Sequence, residues 1–155
     1  MAVTPETLEA FFGQYGWTYE RTGEGDLGTD LRTGFRGDTG VFRIYVRLVE
    51  NWVFFSIAPF VVAPRDPECE RKLHRFLLRK NYEMNMAKFT VDEDGDVILT
   101  VELPTASLDY SEFADALGAL AYYADDAFTQ TFILAHVPQA HSLYEEKQDL
   151  DWGAG

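Results

Sequence analysis

The sequence lacks several features that mark large classes of protein. It has one cysteine, Cys69, so no disulfide forms within the chain, which favours a reducing compartment. Its longest nearly apolar stretch, residues 53–63, contains Ser56 and Pro59 and is too short to span a bilayer. The first residues carry neither a basic nor an apolar region, so we expect no signal peptide. These absences together predict a cytoplasmic protein.

Basic residues are scarce. The chain has 13 Lys and Arg against 26 Asp and Glu, which gives a formal net charge of −13. Phosphate backbones and anionic membrane surfaces repel such a chain, so we expect neither a nucleic acid nor a membrane as partner. Otherwise the charge indicates solubility in water and little about function.

Two segments match part of a phosphate-binding or calcium-binding motif in residue type and spacing, but neither meets the other requirements of that motif. Gly23–Gly28 has the glycine spacing of a dinucleotide-binding loop, but that loop must open a helix, and Thr29–Phe35 has the alternation of a strand. We therefore predict a flexible loop there. Asp92, Asp94 and Asp96 alternate like the start of a calcium loop. The required glycine and glutamate are missing from their positions, so a hairpin turn explains these residues better.

Catalytic constellations are also missing. Cys69 falls in the first turn of a predicted helix, where the helix dipole favours a thiolate. His74 is five residues on and so is not on the same helix face, and His136 and His141 lie near the far end of the chain. A structural thiol is favoured over a Cys–His pair, although the sequence alone leaves that pair open. The sequence predicts no catalytic residue, no metal site and no cofactor, and so no enzyme.

Aromatic residues are plentiful, and capping and turn residues mark where helices and hairpins lie. Helices begin after Thr4, Asp66 and Asp109, each a residue type that caps a helix, and Asp94-Gly95 marks a tight hairpin. Residues 17–64 have the pattern of strands. We predict an α+β fold, an antiparallel β-sheet flanked by helices in the order α-β-β-β-α-β-β-α, as one domain over 1–138 with a peripheral tail over 139–155. The predicted core includes Phe42, Ile44, Phe76, Leu99, Leu117 and Leu120, and the inner face of the last helix continues through Phe128 to Thr131 or Phe132.

Three short segments carry a family resemblance. They are Leu77–Glu83, ending in Lys-Asn-Tyr-Glu; Ala87-Lys88-Phe89 before the Asp94-Gly95 turn; and Leu108–Phe113 at the start of the last helix. Over about residues 5–136 the chain resembles the YbjN family and the wider group of type III secretion chaperone-like domains. The resemblance implies a compact α+β domain, commonly a homodimer, with no enzymatic motif. It also implies binding of polypeptide segments, as secretion chaperones of this fold do.

Two function classes follow from these observations. The first is a non-enzymatic, chaperone-like module that binds a protein or peptide; the alternative is a small-ligand sensor or an enzyme whose site one sequence does not reveal. For the first, we predict partner contacts at aromatic residues off the core stripes, since tyrosine and tryptophan give contact area at low entropic cost. The basic helix offers a docking face for an acidic partner, or else a solvated face. The predicted partner-binding residues are Tyr45, Trp52, Tyr122, Tyr123, Arg71 and Arg75.

Overall fold

The computed structural model describes residues 3–26 and 28–145. Leu27 and residues 146–155, which include Leu150 and Trp152 of the predicted tail, lie outside the described residues. The elements in chain order are α1 (Pro5–Tyr15), β1 (Glu20–Gly25), β2 (Gly28–Arg36), β3 (Val41–Val49), β4 (Trp52–Val61), α2 (Pro67–Glu83), β5 (Lys88–Val91), β6 (Val97–Pro104) and α3 (Tyr110–His136).

Six strands of the described chain form one antiparallel sheet in the order β1-β2-β3-β4-β6-β5. The apolar strand β4 lies between β3 and β6, as its composition predicts. Its pairing with β6 shifts register between Ile57 and Val61, so Pro59 falls in an irregular stretch where no ladder hydrogen bond is needed from it. The predicted α+β class with an antiparallel sheet is confirmed.

The glycine-rich segment contributes a strand that sequence reasoning did not expect. Gly23–Gly25 belong to β1, which pairs with β2, so the prediction of a flexible loop is wrong for these residues. As an edge strand β1 needs no apolar alternation, which is why the signal is absent. Gly28 has φ of +120°, and a Cβ there would lie 2.2 Å from the carbonyl oxygen of Leu48. Glycine is therefore required where β2 begins.

Helix boundaries follow the predicted caps. The Thr4 hydroxyl accepts a hydrogen bond from the N–H of Thr7, and Asp66 accepts from the N–H groups of Glu68 and Cys69. Asp109 accepts from the N–H of Glu112 at 2.9 Å. Each cap satisfies donors that the first helical turn leaves without partners.

One hydrophobic core lies between the sheet and the helices. The strands alternate buried and exposed residues, and the buried side packs against all three helices. All six predicted core residues are buried. On α3 Thr131 is buried and donates to the carbonyl of Ala127, whereas Phe132 is half-exposed, because one helical residue turns the side chain by about 100° away from the core.

Candidate protein-binding surfaces

Tyr45 and Trp52 lie on the side of the sheet that no described helix covers. We call this side, which carries Arg32, Tyr45, Trp52, Ser56 and Lys88, the outer sheet face. Tyr45 is 40% exposed and Trp52 is 44% exposed. Their neighbours along β3 and β4 point into the core, so the side chains of Tyr45 and Trp52 point away from it. The backbones of β3 and β4 are themselves paired with neighbouring strands. The structure thus brings two of the predicted partner-binding residues to one surface.

A row of side chains crosses the whole outer sheet face. The register places Arg32 beside Tyr45, Tyr45 beside Ser56, and Ser56 beside Thr100. The Arg32 guanidinium carbon lies 5.3 Å from the centroid of the Tyr45 ring, and the hydroxyl oxygens of Ser56 and Thr100 are 3.0 Å apart. The row ends at Glu20 on β1 and at Lys88 on β5. Cross-strand pairs of this kind stiffen a sheet surface.

Two ion pairs lie on the outer sheet face. Arg47 pairs with Asp30 at 3.1 Å, and Lys88 pairs with Glu102 at 3.2 Å. Mixed charge beside exposed tyrosine and tryptophan is typical of surfaces that bind proteins, where Tyr, Trp and Arg supply most of the binding energy.

Tyr122 and Tyr123 lie on α3, on the opposite side of the sheet. Their rings meet edge to face at 5.4 Å, and Tyr122 is 66% exposed. Tyr123 is only partly exposed, because it packs against the core and its hydroxyl accepts a hydrogen bond from the N–H of Asn85. The structure therefore gives Tyr123 an internal contact and does not bring the α3 pair near Tyr45 and Trp52.

Arg71 and Arg75 lie on the exposed side of α2, a third location. Arg71 forms a bidentate pair with Glu68, at 2.6 Å from Nη2 and 3.2 Å from Nε. This hydrogen bonding is the main reason that the pKa of Arg71 is raised. The six predicted residues thus fall on three surfaces, of which the outer sheet face carries two.

The candidate nucleophile and the candidate calcium-binding aspartates have structural roles in the described chain. Cys69 is buried in the packed face of α2. Asp92 accepts from the N–H groups of Asp94 and Asp96, as the hairpin reading predicts. No group of three or more His, Cys, Asp or Glu among residues 3–26 and 28–145 is placed to hold a metal ion.

Asp125 is a carboxylate held by several hydrogen bonds. The Thr39 hydroxyl, followed by the N–H groups of Asp38 and Thr39, lowers its pKa. These bonds fasten the turn between β2 and β3 to α3, at 2.7 to 3.1 Å. The role of Asp125 is thus to hold a turn.

Within the described part of the chain, no helix is long and apolar enough to cross a membrane.

The family assignment comes from sequence. The model of the YbjN family, described as "Putative bacterial sensory transduction regulator", matches residues 4–132. The chain belongs to the YbjN family. Comparison with curated protein sequences gave no match.

Solved structures share the fold. YbjN from E. coli is 20% identical with a TM-score of 0.56, over 84% of this chain and 96% of that chain. A chain of the ExoU–SpcU heterodimer from the type III secretion system of Pseudomonas aeruginosa is 15% identical with a TM-score of 0.54, over 83% and 97%. A chain of the ExsC–ExsE complex is 18% identical with a TM-score of 0.54, over 83% and 96%. The predicted family and the type III secretion chaperone-like fold are both confirmed.

Arg32 and Ser56 were missed as surface residues by sequence reasoning, and so was the buried Thr100 that pairs with Ser56. Arg32 alternates with Leu31 and Thr33, which indicates its exposed side, but its position opposite Tyr45 depends on register. Ser56 is the one polar residue within the apolar run 53–58, and this is the signal that points to a polar partner on the next strand.

Proposed function

We propose that this protein is a non-enzymatic, chaperone-like module that binds a segment of another polypeptide on the outer sheet face. The observation that carries the proposal is the row through Arg32, Tyr45 and Ser56, flanked by the exposed Trp52. Aromatic side chains held in place by a sheet lose little entropy when a partner covers them. The fold neighbours from protein complexes are consistent with binding of a polypeptide.

Site-specific photo-cross-linking tests the proposal. A photoreactive phenylalanine analogue replaces Tyr45 in one full-length variant and Tyr122 in a matched control, since both tyrosines are exposed but lie on opposite sides of the sheet. After illumination in cells we expect a discrete polypeptide attached at position 45 and not at position 122. Cross-links only at position 122, or a small molecule retained in native mass spectra with no polypeptide attached, would overturn the proposal in favour of another surface or a small-ligand sensor.

We also propose that the protein is cytoplasmic and acts as a homodimer. The support is the family resemblance, because dimers are common among domains of this kind. Light scattering over a range of concentrations is the direct check. We expect a mass of twice the 17.6 kDa of one chain. A constant mass of 17.6 kDa would contradict the proposed dimer but would not bear on the proposed binding face.

A further inference from the structure

A shallow concavity lies on the outer sheet face where β1, β2 and β3 run side by side. Glu20, Arg32, Gly34 and Arg43 are among the residues that line it. Arg32 and Gly34 are two residues apart on β2 and so face the same side, and the register sets Arg43 opposite Gly34. Gly34 leaves the concavity open, because it has no side chain and a Cβ there would lie 2.7 Å from the carbonyl oxygen of Phe42.

The two arginines of this concavity have no anionic partner. Arg32 and Arg43 are both exposed, and within the described chain neither guanidinium forms an ion pair or a hydrogen bond. Glu20 is the cross-strand partner of Arg32 on β1, yet it forms no ion pair with Arg32 among the described residues. Arg47, further along β3, is by contrast neutralised by Asp30 at 3.1 Å. The concavity thus presents two unpaired cations against one carboxylate.

The donors of both guanidinium groups are available to a ligand. Arg32 lies over the Tyr45 ring, a contact that uses none of its five N–H groups as hydrogen-bond donors. Arg43 is its diagonal neighbour across β2 and β3, and such neighbours are about 7–8 Å apart, within reach of long side chains. The planar guanidinium matches the two oxygens of a carboxylate, so one carboxylate between the two arginines can accept hydrogen bonds from both.

Apolar contact surface continues from the concavity along β3. Tyr45 follows Arg43 by two residues, which places their side chains about 7 Å apart on the same side of the strand. Trp52 is exposed on the next strand. An extended polypeptide has the same repeat, because its alternate side chains face one side. An acidic side chain in the concavity therefore brings the side chain two residues away to Tyr45.

Charge favours a polypeptide over a nucleic acid as the occupant. A phosphate backbone carries a negative charge at every nucleotide, and a chain with a net charge of −13 repels it beyond the two arginines. A single carboxylate beside apolar residues needs only the concavity and the aromatic surface next to it.

We propose that the segment bound on the outer sheet face carries an Asp or Glu whose carboxylate binds between Arg32 and Arg43. The side chain two residues away in that segment is apolar and packs on Tyr45. This inference rests on the proposed function and specifies the chemistry of its partner.

Selection from short random peptides displayed on phage tests the acidic contact. The library is selected on the full-length wild-type protein, on Arg32→Glu/Arg43→Glu, and on the control Arg65→Glu, whose arginine is exposed just before α2. We expect the wild type and the control to enrich Asp or Glu two positions from an apolar residue. Charge reversal should enrich Lys or Arg at that position and keep the apolar residue. Enrichment without an acidic preference, or with one that charge reversal leaves unchanged, would overturn the proposal.

Calorimetry with one enriched peptide separates this contact from the proposed function. Changing the acidic residue of the peptide to its amide should weaken binding to the wild type by about tenfold and change little with Arg32→Gln/Arg43→Gln. Tyr45→Ala/Trp52→Ala should lose affinity for both peptides. An equal effect of the amide on the wild type and the glutamine variant would overturn the acidic contact and leave the proposed function standing. Unchanged affinity in Tyr45→Ala/Trp52→Ala would overturn both.

Two further measurements test other occupants of the concavity. A single-stranded oligothymidylate is added to the complex with the peptide, and the mass of Arg32→Glu/Arg43→Glu is measured by light scattering. We expect the peptide to stay bound and the mass to equal that of the wild type. Displacement of the peptide would assign the arginines to a nucleic acid, and a lower mass would assign them to a second copy. Either result would overturn the proposal.

Discussion

Arg32 lies over the ring of Tyr45, with 5.3 Å between the guanidinium carbon and the ring centroid. The two residues are direct cross-strand partners of β2 and β3. Both side chains are exposed to water, where a cation–π contact contributes about 0.5–1 kcal/mol. A contact this weak adds little to the fold and favours one orientation of the Tyr45 ring.

The first prediction concerns the contribution of the Arg32–Tyr45 pair to stability. Arg32→Ala should lower the free energy of unfolding by less than about 1 kcal/mol, because the exposed contact is the main loss. Urea denaturation of the variant and the wild-type protein measures the difference. A loss of several kcal/mol would show that Arg32 supports the fold and is no mere surface group.

Lys72 offers a stronger effect on stability. Its buried ammonium donates to two backbone carbonyls that follow α3, so Lys72→Met leaves those carbonyls without a donor and should cost about 1–3 kcal/mol. Lys80→Met is the matched control, since Lys80 pairs with the side chain of Asp126 at 3.3 Å, donates to no backbone carbonyl in the described contacts and should cost less than about 1 kcal/mol. Equal losses for the two variants in urea denaturation would contradict the assigned contacts.

Leu117 tests the packing of α3 against the sheet. Leu117 is fully buried, so Leu117→Asp places a carboxylate without a partner in the core and should cost at least about 3 kcal/mol. Tyr122→Asp on the exposed side of the same helix should change the melting temperature little. An unchanged melting temperature for Leu117→Asp would count against the orientation of α3.

Asp125 gives a prediction about pH. Its pKa is lower in the folded chain than the ordinary value of 3.8, so its ionised form stabilises the fold above that value, and the contribution is lost as the pH falls through the folded pKa. Asp125→Ala should therefore melt at a lower temperature than the wild type at pH 7, and the gap should narrow below pH 3.8. Asp126→Ala is the neighbouring control. A difference in melting temperature that stays constant with pH would contradict a stabilising role of the ionised carboxylate.

Local signals made most of the fold predictable, and non-local pairing decided the surface. The caps at Asp66 and Asp109 and the Asp94-Gly95 turn involve residues close in sequence, so the pattern alone indicated them. The row through Tyr45, Ser56 and Thr100 depends on strands up to 44 residues apart, whose register no short pattern records.

The edge strand β1 shows the same limit. Glu20–Gly25 has no apolar alternation, and only its pairing with β2 makes it a strand. Exposure of an aromatic residue was equally hard to predict, as Tyr122 and Tyr123 show. They are adjacent in sequence, yet one is open to water and the other holds the N–H of Asn85.

The affinity of one double variant tests the central claim most directly. The segment cross-linked at position 45 is synthesised and titrated by calorimetry against the wild-type protein, Tyr45→Ala/Trp52→Ala, and the control Tyr122→Ala/Ile133→Ala, whose two residues are exposed on α3. Loss of two aromatic anchors should weaken binding by at least about tenfold, or 1.4 kcal/mol, with no change in melting temperature. The control should bind as the wild type does. Unchanged affinity in Tyr45→Ala/Trp52→Ala, with or without weakening in the control, would contradict binding on the outer sheet face.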